Sequence, residues 1–197
     1  MKKILLASNN PGKVREIAAI LADHDMEVVP QSAFAVPEAD ETGLTFIENA
    51  ILKARHASRL SGLPAIADDS GLEVDALGGA PGVFSARYAG EGATDAANNA
   101  KLLDALRDVP PERRTARFRC VMAYLRHEND PSPVIAEGVW EGVMLSEARG
   151  AGGFGYDPLF FLPEQGCASA ELSAEVKNRL SHRGKALRAL VARMFGG

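Results

Sequence analysis

The stretch that constrains this chain most is Pro64-Ala65-Ile66-Ala67-Asp68-Asp69-Ser70-Gly71-Leu72, where an apolar run ends in two adjacent carboxylates, a hydroxyl and a glycine. Pro64 suits the first residue of a strand, and Ala65 to Ala67 are small enough to be buried on both faces. Two carboxylates at the mouth of a buried strand repel each other unless a cation, a donor or a proton relieves them. In an open α/β sheet, ligands bind at such strand ends. Gly71 would let the chain turn or come close to a ligand. Asp-Asp-Ser-Gly is also ordinary turn composition, and taken alone it favours a turn.

The flanking sequence alternates strand-like and helix-like segments, which implies an α/β fold. Lys2 to Ala7 reads as a strand leading into the loop Ser8-Asn9-Asn10-Pro11-Gly12-Lys13. Asn10 suits a helix cap and Pro11 the first turn, with Val14, Ile17, Ala18 and Leu21 on one face. Lys13 in that first turn opposes the helix dipole, a penalty that an anion on the free amides would reverse. A plain capped helix with a solvated lysine is an equal reading. Met26 to Pro30 is a short strand, and the acids Glu38, Asp40 and Glu41 lie in a polar loop. Thr45 and Glu48 form a capping box opening a helix with Phe46, Ile47, Ala50, Ile51, Ala54 and Leu60 as core candidates. Gly62 ends it, and Lys53 on it has the look of a surface charge.

Glu73 to Asp75 continues as strand, and Gly78-Gly79-Ala80-Pro81-Gly82 breaks the chain. Thr94 caps a helix reaching Asp108, with Ala97, Leu102, Leu103 and Leu106 inward. Ala116 to Arg126 alternates as a strand and pairs with Val134 to Leu145, so part of the sheet is antiparallel. The glycine-rich Gly150 to Pro158 surrounds Phe154 and Tyr156, and a backbone so rich in glycine can approach something flat or charged closely. Leu159 to Leu162 is a buried strand, Glu171 to Leu180 a short helix bearing Lys177. Ser181 caps a closing helix whose first turn carries His182 and Arg183. Arg183 either pairs with a nearby acid or faces an anionic or keto-bearing partner.

At 197 residues and net charge -4, one domain of two lobes is expected, without the basic field that nucleic acid or an anionic membrane would require. No apolar run approaches a membrane span, no signal segment is visible, and the two cysteines have neither CxxC nor framework spacing; a cytoplasmic protein is expected. The Walker loop and the GxSxG elbow are missing. What the chain offers instead is acids at Glu38–Glu41 and Asp68–Asp69 and cations at Lys13, Lys53, Lys177 and Arg183. Carboxylates, lysines and helix N-termini are the inventory for a triphosphate carried with Mg²⁺.

Six blocks in order carry a resemblance: Ser8 to Lys13, Glu41 to Ala50, Ala67 to Leu72, Gly78 to Gly82, Gly153 to Pro158 and Ser181-His182-Arg183. Together they closely resemble the inosine/xanthosine triphosphate pyrophosphatase family over nearly the whole chain, departing at Asn9, where relatives often carry glycine. The resemblance implies a homodimer of α/β subunits, each with a mixed, partly antiparallel twisted sheet flanked by helices and two lobes around a central cleft. It also implies Mg²⁺-dependent hydrolysis of ITP, dITP or XTP to the monophosphate and pyrophosphate. Carried over by position, Ser8, Asn9, Asn10, Pro11, Gly12 and Lys13 bind the triphosphate. Glu41 and Asp69 serve the metal, and Asp69 is also the proton acceptor. Lys53, Ser70, Phe154, Gly155, Tyr156, Asp157, Lys177, His182 and Arg183 complete the substrate contacts. Two other functions share these loops: a pyrophosphatase for pyrimidine or other modified nucleotides, and a nucleotide-binding regulatory module without turnover.

Overall fold

The computed structural model describes residues 2–196 and all their side chains but those of residues 16, 19, 20 and 23. Its strands are β1 (Lys2–Leu6), β2 (Met26–Pro30), β3 (Ala65–Val74), β4 (Thr115–Leu125), β5 (Val134–Met144), β6 (Phe160–Leu162) and β7 (Cys167–Ala168). Its helices are α1 (Pro11–Leu21), α2 (Phe46–Ser61), α3 (Asp95–Ala105), α4 (Ala174–Leu180) and α5 (His182–Phe195). The strands form a seven-stranded sheet in the order β2-β1-β3-β4-β5-β6-β7. β1 pairs parallel with β2 and β3, whereas β6 pairs antiparallel with β5 and β7, so the sheet is mixed as expected.

The turn that the composition of Asp68–Gly71 favours when taken alone does not form. β3 runs unbroken through Asp-Asp-Ser-Gly to Val74, because the sheet ladder outweighs the local turn preference. The strand begins at Ala65, one residue after Pro64. Its parallel pairing with β1 ends at Leu6↔Ile66, so Asp68 and Asp69 lie just past the point where β1 stops. The ligand-binding end expected for such a strand is therefore the carboxyl end of β1, with β3 continuing beyond it.

The chain divides into two compact units. The first comprises Met1–Asp69, Cys120–Gly138 and Arg183–Gly197. Successive strand side chains point to opposite faces, and this sorts its core into two layers. Ile4, Leu6 and Ile66 pack with Ile17 and Leu21 of α1 and Leu187, Leu190 and Val191 of α5. Leu5 and Ala65 pack on the other side with Ala57 of α2. The inward stripe of α2 is Phe46, Ala50, Ala54 and Ala57, while Ile47 and Leu60, expected inside, are exposed. Small residues let the helix lie close to the sheet.

The second unit comprises Ser70–Arg119 and Val139–His182. Its core joins Leu72 and Val74 of β3 to Leu102 and Leu106, Phe118, Trp140, Tyr156 and Phe160. α3 ends at Ala105 rather than Asp108 and leaves Ala97 exposed. The Arg114 guanidinium donates to the Leu106 and Val109 carbonyls, satisfying acceptors at that helix end. α4 starts at Ala174, behind a Ser173 cap, rather than at Glu171. Among the described residues, no helix is long and apolar enough to cross a membrane.

Candidate active site

Asp68 and Asp69 are neighbours in the chain but face opposite sides of β3, so they do not share one mouth. Asp68 has the parity of Ile66 and points to the α1/α5 layer. There Lys13 Nζ donates to both of its oxygens, at 2.9 and 2.8 Å, and Arg183 Nε lies 3.4 Å from Oδ2. The carboxylate is 1% exposed. Burial alone would raise its pKa, but Lys13, Arg183 and Lys53 together outweigh that and hold it well below the usual carboxylate range. Beneath it, burial and the Asp68 charge push the Cys120 thiol up to about 12, which leaves it inert.

Lys13 reaches Asp68 from the first turn of α1, whose start is built as the sequence suggested, with Pro11 at its first position. Asn10 Oδ1 accepts from the amides of Gly12 at 2.9 Å and Lys13 at 3.2 Å, and the Asn10 amide donates to Ser8 Oγ at 3.1 Å. Those two amides are thus committed to the cap and are not on offer to an anion. Asn9 is exposed.

Asp69 has the parity of Ala65 and points to the α2 layer. Lys53 Nζ donates to Asp69 Oδ1 and to Glu41 Oε1, both at 2.8 Å. Lys53 is therefore not the surface charge that its place on the helix suggested. Burial works against its ammonium, but Asp69, Asp68 and Glu41 together outweigh it and raise its pKa. For Asp69 the balance goes the other way: burial dominates and lifts the carboxyl above its ordinary value despite Lys53.

Asn49, which the sequence reading missed, holds this corner together. Fully buried, it accepts from the Gly43 amide at 2.8 Å and donates to Asp69 Oδ2 at 3.2 Å. Asn49 and Lys53 are four residues apart on one helix face. Both tie the loop bearing Glu41 to the strand bearing Asp69. A polar pair inside the stripe Phe46, Ala50, Ala54, Ala57 was the signal that could have found them. Glu38 and Asp40 are exposed. Among the described residues, no group of three or more acidic, histidine or cysteine side chains is placed to hold a metal ion. Glu41 and Asp69 are the two acids of this cluster, and both accept from the one Lys53 ammonium.

In the second unit, Ser70 follows half-buried in β3. The loop Gly153 to Asp157 is organised by Asp157, which is 2% exposed. This carboxylate accepts from the Phe154 amide at 2.8 Å, from Ser169 Oγ at 2.9 Å and from Lys177 Nζ. Gly153 has φ +77, and a Cβ there would collide with the Asp157 carboxylate. Lys177 Nζ also sits 5.0 Å from the centroid of the Phe154 ring, which remains 43% exposed. The Tyr156 hydroxyl donates to the Ser85 carbonyl at 2.8 Å and is buried in the core. His182, also buried, stacks on Phe118 with centroids 4.8 Å apart and planes at 12°, with Trp140 at 6.4 Å.

The structure thus gathers Lys13, Arg183 and Asp68 on one face of β3 and Lys53, Glu41, Asn49 and Asp69 on the other. Phe154, Asp157 and Lys177 form one cluster of the second unit, and His182 belongs to its aromatic core. Comparison with known proteins places the chain in a family. The Ham1 family profile matches residues 4–193. A dITP/XTP pyrophosphatase of Thioalkalivibrio sulfidiphilus is 63% identical over 194 residues, 98% of this chain and 99% of the relative. A HAM1 protein structure from Coxiella burnetii superposes with a TM-score of 0.94 at 50% identity, covering 100% of both chains. A Mycobacterium abscessus structure, described as a nucleoside-triphosphatase and dITP/XTP pyrophosphatase, gives 0.77 at 45% identity, covering 96% of this chain and 98% of its own.

Proposed function

The chain belongs to the Ham1 family, and on that premise we propose that it is a nucleoside-triphosphate pyrophosphohydrolase, converting dITP, XTP and ITP to the monophosphate and pyrophosphate with Mg²⁺. The observation that carries this reading is the unequal treatment of two adjacent carboxylates. Asp68 is locked between Lys13 and Arg183 with a depressed pKa, so it is a poor proton acceptor. Asp69 is made more basic by burial, yet it keeps lone pairs beyond those met by Lys53 and Asn49. A positioned carboxylate of raised pKa is what general-base catalysis asks for.

In the proposed reaction a water oxygen bonds to the α-phosphorus and its proton passes to Asp69. The bond from the α-phosphorus to the pyrophosphate oxygen breaks, and pyrophosphate leaves. A carboxylate base contributes about 10²–10⁴-fold to such a step. Glu41 and Asp69 would hold the Mg²⁺, which supplies charge neutralisation on the phosphates. Ser8 to Lys13 and Lys53 would bind the triphosphate, chiefly through the two ammonium groups, since the amides of Gly12 and Lys13 are spent on Asn10. Phe154 would stack on the purine beside Lys177, with Ser70, Gly155, Tyr156 and Asp157 completing that contact. Donors at His182 and Arg183 would bond the 6-keto oxygen, where adenine would leave them unpaired, a mismatch worth a rejection of about 10⁴ or more.

The test is incubation of the protein with dITP, XTP, ITP, ATP, GTP and dUTP, each with and without Mg²⁺, and identification of products. Pyrophosphate from the first three only, and only with the metal, is expected. Release of orthophosphate, or preference for dUTP, would overturn the reading. A homodimer in the cytoplasm, with no role for nucleic acid or membrane, belongs to the same proposal; sedimentation at twice the chain mass is the expected result, and a monomer would remove that part.

A further inference from the structure

The loop that carries Phe154 is held from a side the family motifs do not mark. Gly155 Cα has φ +61, and both polar groups of this residue are bonded to α3. The Gly155 amide donates to Asp95 Oδ2 at 2.6 Å, and the Gly155 carbonyl accepts from Asn99 Nδ2 at 2.9 Å. Asp95 and Asn99 are one helical turn apart, so they project side by side from α3 and grip the two sides of one residue. Thr94, not Asp95, caps the helix, through the Ala97 amide. Next to Gly155, the Phe154 amide is bonded to Asp157, and the Tyr156 hydroxyl to Ser85. Three consecutive residues are therefore fixed by four different partners, while the Phe154 ring itself stays 43% exposed. A half-exposed aromatic on so constrained a backbone is a platform whose ordering cost is met before a ligand arrives.

The geometry points to Asp95 and Asn99 as positioning residues for nucleobase binding: together they clamp Gly155 and so set the Phe154 ring in its stacking pose. This rests on the proposed stacking role of Phe154. The clamp acts on binding and not on the phosphates, so its loss raises KM and leaves kcat in place.

The experiment uses the full chain with ITP as substrate and four variants, Asp95→Ala, Asp95→Asn, Asn99→Ala and Phe154→Ala. Each is also followed by hydrogen exchange at the Gly155 amide and by thermal unfolding. Asp95→Ala and Asn99→Ala should each raise KM about tenfold with kcat within about twofold, the size of one lost charge-assisted or buried hydrogen bond. Asp95→Asn keeps an oxygen acceptor but removes the charge, and it should recover most of the loss. Gly155 exchange should quicken in Asp95→Ala and return toward the parent rate in Asp95→Asn. The proposal is overturned if Asp95→Asn is as impaired as Asp95→Ala, because the charge at the helix start would then be what counts. It is also overturned if Gly155 exchange is unchanged in Asp95→Ala, or if Phe154→Ala raises KM while the clamp variants do not. If exchange quickens but Phe154→Ala itself leaves KM unchanged, the stacking reading has failed and the positioning role falls with it.

Discussion

At the scale of single residues, two side chains of the same type one position apart receive opposite assignments from strand parity alone. Asp68 faces Lys13 and Arg183 and anchors them; Asp69 faces Lys53 and Asn49 and stays basic. The pair of asparagine variants separates these roles. Asp69→Asn should keep the fold and the melting temperature within about 2–3 °C, since it removes a desolvated charge. Its kcat should fall by about 10²-fold or more, as for loss of a general base. Asp68→Asn should instead lose about 3 kcal/mol, or about 6–12 °C in melting temperature, because it removes the buried carboxylate that pairs with Lys13 and Arg183. Thermal unfolding and single-substrate kinetics on both variants check this, and a swapped pattern would reverse the assignment. The chemistry of these residues could be read from the sequence, but which cation meets which acid could not. Lys13 and Arg183 are 55 and 115 residues from Asp68 in the chain, a pairing that no local pattern encodes.

Among the elements, α2 does most to shape the cluster around Asp69. Its start was legible, since Thr45 and Glu48 form the expected capping box. Its inner face was legible in part: Phe46, Ala50 and Ala54 are buried as expected, but Ile47 and Leu60 are exposed, and Asn49 and Lys53 turn inward to Asp69. At Asp68–Gly71 the composition suits a turn as well as a strand end, and pairing within the sheet keeps β3 extended there. The loop before α2 has no room for a side chain at Gly43, where a Cβ would lie 2.7 Å from Asn49 Oδ1. Gly43→Ala should therefore displace the segment bearing Glu41 and raise the Mg²⁺ concentration for half-maximal activity, with less than about 2 kcal/mol lost in stability. A metal titration of activity beside an unfolding curve tests it. The turn between β4 and β5 makes a separate prediction. Buried Asp130 accepts from the Arg126 guanidinium and from the amides of Arg126 and Ser132, and its carboxyl is held well below the usual range, first of all by the Arg126 side chain. A carboxyl whose folded-state pKa is depressed stabilises fully above its unfolded value, about 3.9, and loses that contribution as pH falls through and below it. Asp130→Asn should accordingly melt about 3–6 °C below the parent at pH 7, and the gap should begin to narrow only below about pH 4, as the unfolded carboxyl takes up its proton. A gap that stays the same size as the pH is lowered well below about 4 would place the effect in packing.

For the whole molecule, the alternation of strands and helices and the antiparallel hairpin fixed the expected class, and the mixed sheet bears that out. The division into two units was not written in any linker, because β3, β4 and β5 each pass from one unit to the other without a break. The first unit holds the carboxylates and cations assigned to the phosphates, and the second holds the aromatic residues assigned to the base. The proposed reaction breaks the bond that separates the nucleoside monophosphate from pyrophosphate. The most direct measurement is hydrolysis of dITP in ¹⁸O-labelled water with Mg²⁺, followed by mass analysis of both products. The account predicts one ¹⁸O in the monophosphate and none in the pyrophosphate; label in pyrophosphate, or in released orthophosphate, would contradict it.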